Sequence, residues 1–301
     1  MVQTTVAIRV DVDTRRGLDE GVPRLLELFR RNGVQASFFV TMGPDRSGAA
    51  IRRAWRPSFL RKMWRTNALR LYGVRTVLSG TLLRPRPVGA GAPELLRHVA
   101  SEGHEVAPHG FDHVGWQDGM QRWDAARIRA DMAAAAGAFE AVFGTRPEAS
   151  AAPGWRTTPD ALVVQEEFGY RYASDVRGRA PFWPVVAAGQ LKTVQIPTTM
   201  PTLDELLGAV PDVVAALDDA VRPGLNVLTV HAEVEGDRLL DTFERFLRRL
   251  RGQGAAITRL GDVAAQARAN ADPLPALPVD RARVRGRSGW IATHGPVGYP
   301  A

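Results

Sequence analysis

The sequence predicts an α/β protein built on parallel strands, in a sheet that is either open or closed into a barrel. Short apolar runs alternate with longer helical patterns, the connections between them are short, and several of the runs end on an aspartate or a histidine. In such folds the chemistry gathers at the carboxyl ends of the strands.

The first strand is VAIRV, residues 6–10. An amphipathic helix over 20–31 follows, with Leu25, Leu26 and Phe29 on one face, and then a second strand over 36–41. Further strands are expected at 104–107, 170–173, 193–196, 226–230 and 255–258. Helices are expected at 94–101, 125–143 with Gly144 as its stop, 159–168, 203–217, 238–251 and 262–269. The segment TMGPDRSG after the second strand lacks the glycine spacing of a phosphate-binding loop, which disfavours a nucleotide fold.

With 301 residues, 45% of them hydrophobic, the chain can bury one large core or two smaller ones. It has no apolar run long enough to cross a bilayer and no charged-then-apolar leader, so neither a membrane span nor a secretory signal is expected. Cysteine is absent, which leaves histidine and carboxylate to hold any metal and suits Zn²⁺, Mn²⁺ or Co²⁺. The formal charge of +7 and pI near 10.6, carried almost wholly by arginine, point to an anionic partner.

Three strand ends carry the candidate chemistry. RVDVDT places Asp11 and Asp13 on one side of the first strand, where two like charges need a cation between them. EVAPHGFDH places His109 and His113 four residues apart, which on a helical turn would turn both imidazoles to one face. LTVHAEVEG ends another apolar run on His231. Between the last two lie AAPGWR, a turn able to aim Arg156 into a pocket, and SDVRG, with Asp175 at a strand end.

This order, D-x-D, H-x-x-x-H, a Pro/Arg turn, Asp, and a strand ending in His, resembles the polysaccharide deacetylase (NodB-homology) superfamily of metal-dependent carbohydrate esterases and amidases. The resemblance spans residues 5 to 265 and is strongest to the ArnD-type deformylase branch, through RVDVDT, GVPRLLELF, QASFFVTMGPD, RTNALRLYG, HGFDH, AAPGWR, YASDVRG, VQIPTTMPTLDE and VHAEVEG. It implies a distorted (β/α) barrel of about seven strands. It also implies one divalent metal on Asp13, His109 and His113, with Asp11 as general base and His231 as general acid. Arg156 and Asp175 would assist catalysis, and Trp155 and Glu233 would contact substrate, with Asp175 or Glu233 as the anionic neighbour of His231. Two departures stand out: Val12 separates aspartates that are adjacent in most of the superfamily, and APGWR replaces R-x-P-Y.

The branch implies deformylation of 4-deoxy-4-formamido-L-arabinose on undecaprenyl phosphate, a step toward lipid A modification and hence lipopolysaccharide-linked antibiotic resistance. A deacetylase of another amino sugar or glycolipid is the alternative. A non-catalytic binder of anionic glycolipid or nucleic acid would account for the arginines but not for the ordered acids and histidines, so nucleic acid is not an expected partner.

From Arg46 to Arg86 there is no acidic residue, while basic side chains interleave with aromatics, among them Trp55, Arg61, Lys62, Trp64 and Arg65. Residues 45–92 therefore read as a basic amphipathic insertion that contacts an anionic membrane surface, with the protein peripheral on the cytoplasmic face of the inner membrane. The barrel is expected over 1–268. Residues 269–301, Pro- and Arg-rich without an apolar period, are expected to be a flexible tail in which His294 is inert.

Overall fold

The computed structural model describes residues 3–49, 79–81, 83–270, 273–284, 286–287 and 289–295. Most of the basic insertion, including Trp55, Arg61, Lys62, Trp64 and Arg65, lies outside them.

Strand β1 (Thr5–Val12) is central and almost wholly buried, as its unbroken apolar character requires. On one side it pairs in parallel with β2 (Ser37–Val40), which pairs in turn with β3 (Glu105–Pro108). Along its opposite edge lies β9 (Leu225–His231), in a register that sets Asp11 beside His231. The amino end of β1 also pairs with β10 (Ala256–Thr258). A second parallel set joins β4 (Ala149–Ser150), β5 (Tyr172–Ala173) and β8 (Val194–Gln195).

The two sets meet edge to edge through isolated bonds. Ala151 N–H donates to Pro108 O at one seam, and Thr199 and Met200 N–H donate to Val227 O at the other. No continuous ladder closes them. The seven strands β1, β2, β3, β4, β5, β8 and β9 thus follow the expected distorted barrel order with two interrupted seams.

Helices α1 (Val22–Asn32), α2 (Pro93–Ser101), α3 (His113–Gly119), α4 (Ala125–Phe143), α5 (Pro159–Glu166), α6 (Leu203–Leu206), α7 (Val213–Ala220), α8 (Leu240–Gly252) and α9 (Leu260–Ala269) connect the strands. The main core lies between the sheet and α1, α4 and α8, where Leu25, Phe29, Phe139, Phe243 and Phe246 pack on Val6, Ile8, Val10 and Phe38. Helix α4 keeps its expected bounds because both ends are written locally. Asp124 accepts from Arg127 N–H at the start, and Gly144 takes the left-handed φ of 74° at the end.

Two expectations change. The helix foreseen over 203–217 is two short helices, because Gly208 takes a left-handed φ of 69° just past the end of the first and Pro211, lacking an N–H, stands in the break before the second. Residues described in the expected flexible tail are ordered on the body. β11 (Ala276–Pro278) pairs with β6 (Trp183–Val186), which forms a hairpin with β7 (Gly189–Gln190), and β12 (Asp280–Ala282) pairs with β13 (Ile291–Thr293). Val284 and Ile291 cover Trp155, while Ala292 O accepts from Arg177 N–H. Proline and arginine hid this segment because its few apolar anchors are too widely spaced to make a period. Its His294 is buried against Phe182 rather than solvated.

Candidate active site

Asp13 follows the last residue of β1, His109 follows β3, and His231 closes β9, so parallel pairing alone carries them to one rim. The ligand atoms of Asp13, His109 and His113 all lie within 4.8 Å of one another. His109 Nε2 is 3.4 Å from Asp13 Oδ1, and His113 Nε2 is 3.2 Å from Asp13 Oδ2. The H-x-x-x-H pair does not share a helix face: His109 leaves a strand, His113 opens α3, and the loop between them brings the ring centroids to 5.4 Å.

His109 Nδ1 lies 2.9 Å from Ala151 O, so Nδ1 carries the proton and Nε2 presents a lone pair. Among the described residues that lone pair has no hydrogen-bond partner, and neither has Asp13 Oδ1 opposite it, although both are buried. Two buried acceptors facing each other without a donor fit a divalent cation better than any hydrogen-bonded arrangement. The N,N,O donor set with partial access to solvent suits Zn²⁺, Mn²⁺ or Co²⁺ with positions left for small molecules. Burial pushes the His109 imidazole down to about 4, against the opposing pull of Asp11 and Asp13, so the ring is neutral near pH 7, the form that could bind a metal. Burial also opposes charge on Asp13, but His113 and His109 outweigh it and hold the carboxyl far below its ordinary range.

Asp11 has a different neighbour. Arg9, fully buried two residues earlier on the same strand face, grips both carboxylate oxygens at 2.6 and 2.8 Å and also bonds Ser174. Burial raises the carboxyl, and the Arg9 charge, followed by His109, brings it below the usual range, so Asp11 is ionised. Asp11 Oδ2 stands 3.5 Å from His109 Nε2, at the edge of the ligand set. Arg9 was legible as an arginine interrupting VAIRV in phase with Asp11, but the strand pattern drew attention to the acids alone.

The remaining candidates divide. Asp175 spends its oxygens on Ala152 N–H, Gln165 Nε2 and Gln195 Nε2, and burial outweighs these bonds to raise its carboxyl. The carboxylate that reaches residue 231 is Glu235, which accepts its backbone N–H. Glu233 is buried near Asp13 with Oε2 unpartnered; burial first, then the Asp13 charge, raise it well above its ordinary value. Arg156 donates to Gln117 O and lies over Trp290, away from Asp11. Trp155 is enclosed, its Nε1 bonded to Thr198 Oγ1 and its ring faced by Arg9, Arg177 and Arg287 at 5.2, 4.8 and 4.3 Å. It is also the one non-glycine residue with positive φ (52°) among the described residues.

Two curated proteins are similar over most of their length, both named as a probable 4-deoxy-4-formamido-L-arabinose-phosphoundecaprenol deformylase ArnD. One, from Shewanella sediminis, is 39% identical over 249 residues, covering 81% of this chain and 80% of its own. The other, from Wigglesworthia glossinidia brevipalpis, is 31% identical over 282 residues, covering 92% and 97%. Among solved structures, an allantoinase, Puue, superposes with a TM-score of 0.63 at 16% identity, covering 90% of this chain and 92% of its own. A probable polysaccharide deacetylase from Pseudomonas aeruginosa PAO1 superposes at 0.60 with 17% identity, covering 90% and 93%. These structures share the fold. The polysaccharide deacetylase family model matches residues 3–173, the stretch that holds Asp11, Asp13, His109 and His113, and the chain belongs to the polysaccharide deacetylase family.

Proposed function

We propose that the protein is a divalent-metal-dependent hydrolase that removes the formyl group from 4-deoxy-4-formamido-L-arabinose carried on undecaprenyl phosphate. The products would be formate and the 4-amino sugar lipid used to modify lipid A. The observation that carries the reading is the pair of buried, unbonded acceptor atoms on Asp13 and His109 beside an ionised Asp11. The choice of substrate rests on the names of the two relatives above.

Asp13, His109 and His113 would hold the ion, which when bound supplies Lewis-acid polarisation of the amide carbonyl and makes water a better nucleophile. Asp11, pinned by Arg9, accepts a proton from the attacking water. His231, level with Asp11 in the β1–β9 register, gives a proton to the sugar nitrogen as the C–N bond breaks, so the amine leaves neutral. The water oxygen ends on the formyl carbon. Asp175 and Arg156 act by holding the Ala152 turn and the Gln117 end of α3, and Trp155 supports Arg9. Glu233, with one free oxygen, is the side chain suited to contact the sugar.

Among the described residues no helix is long and apolar enough to cross a membrane. The polyprenyl tail would stay in the bilayer, and the basic insertion would bring the rim to it at the cytoplasmic face of the inner membrane. Each basic residue near an anionic leaflet contributes about 1 kcal/mol. Co-sedimentation with anionic liposomes checks this part, since Trp55→Ala with Trp64→Ala should weaken binding.

The decisive experiment incubates purified protein with the polyprenyl-linked formamido sugar and measures formate with and without chelator. Chelator-sensitive formate supports the reading. Acetate release from an acetamido analogue, with no formate from the formamido sugar, would replace it with deacetylation.

A further inference from the structure

One ion can suit both imidazoles only if the loop joining a strand end to a helix start is fixed in shape. From the barrel side, Met42 and Gly43 N–H donate to Gly110 O (3.0 Å) and Phe111 O (3.1 Å). From the other side the Asp131 side chain holds its backbone. Asp131, on α4, accepts Phe111 N–H at 3.0 Å through Oδ1 and Asp112 N–H at 3.1 Å through Oδ2. Gly110 turns the chain there with φ of 72°, and a side chain at that position would stand 3.1 Å from Pro153 Cγ and 3.5 Å from Asp131 Oδ1. Asp112 then passes the order on, its carboxylate accepting from Gly115 N–H at 2.9 Å to start α3, whose first residue is His113.

Asp131 is out of character for its helix. It sits inside the alanine-rich α4, 3% exposed, where an aspartate has poor helical propensity and a carboxylate is costly to bury. Alanine would serve the helix better.

We infer that Asp131 is a positioning residue for the metal. Its two oxygens fix the Phe111 and Asp112 amides, which sets how far apart His109 and His113 stand. It touches neither substrate nor ion. The inference rests on the metal reading of Asp13, His109 and His113.

Metal-depleted full-length protein titrated with Co²⁺ tests it, because the visible spectrum reports the ligand geometry without any substrate. Asn at position 131 keeps the volume but turns an N–H₂ toward one of the two amides, so Asp131→Asn should weaken Co²⁺ binding roughly ten- to hundred-fold and change the spectrum. Asp131→Glu, which retains two acceptor oxygens, should recover part of the affinity, and thermal unfolding of the metal-free forms should separate a local change from loss of fold. If Asp131→Asn does not fold, Gly110→Ala, which strains the same loop from within, takes its place in the titration. Wild-type affinity and an unchanged spectrum in the variant overturn the inference while leaving the metal reading intact. A wild-type protein that takes up no Co²⁺ removes both.

Discussion

The two ends of the parallel strands treat buried polar groups in opposite ways. At the amino end, one oxygen of the Glu105 carboxylate that opens β3 is heavily used: Ser37 Oγ, Tyr172 OH and Gly261 N–H all donate to Oε2, tying β2, β3, β5 and the start of α9 together. At the carboxyl end, Asp13 Oδ1, His109 Nε2, Glu233 Oε2 and Glu235 Oε1 are buried without a partner. Leaving such groups unpaired costs free energy, so their concentration at one end separates the part of the barrel that holds it together from the part left open for a ligand.

The sharpest break of this contrast is at the unpaired end. Asp13→Ala or His109→Ala should abolish both metal uptake and formate release, measured by metal analysis and product assay, with the fold retained because the facing atoms, Asp13 Oδ1 and His109 Nε2, have no hydrogen bond to lose among the described residues. Asp11→Asn and His231→Ala should lower kcat roughly 10²- to 10⁴-fold while the metal stays bound, since each removes one proton transfer. Full turnover in either variant would strip that residue of its role.

At the paired end the expected effect is smaller and of another kind. Glu105→Gln can keep one acceptor oxygen for the three donors but removes its charge, so stability should fall by about 1–3 kcal/mol in denaturant titrations with kcat of the surviving fold unchanged. A kinetic defect there would mean that the two ends are not separable.

An effect of a different kind should appear in the pH dependence of stability. Burial, only partly offset by the His231 N–H, raises the Glu235 carboxyl to about 8. The folded state therefore keeps a proton that the unfolded chain releases near 4.5, so this group's contribution is present at low pH and is lost as pH rises through that window. Glu235→Gln should flatten the decline, and equal slopes in the two proteins would show that the proton is not held.

Much of the site could be read before any coordinates, because its residues announce themselves at strand ends. RVDVDT and HGFDH each follow an apolar run, and parallel pairing has only one way to place such ends. The supporting residues were harder to see. Gln165 and Gln195 hold Asp175, and Glu235 meets residue 231, yet none has a spacing that sets it apart from surface residues of the same type. Arg156, prominent in APGWR, faces Gln117 O and Trp290, while Arg9, unremarked inside a strand, grips Asp11. The helix end at Gly144 was written in its own neighbours, whereas the docking of β11 and β13 depends on surfaces formed far earlier in the chain, at Trp183–Val185 and at Trp155 and Arg177.

The amino-acid sequence by itself determined the alternating strands and helices and the chemical types delivered to one rim, since periodicity and strand polarity are local properties of the chain. Tertiary structure alone decided which of two nearly adjacent aspartates is neutralised by an arginine and which keeps a buried oxygen unpaired among the described residues. That choice depends on distances of a few ångströms between side chains, and on burial, which no linear pattern encodes.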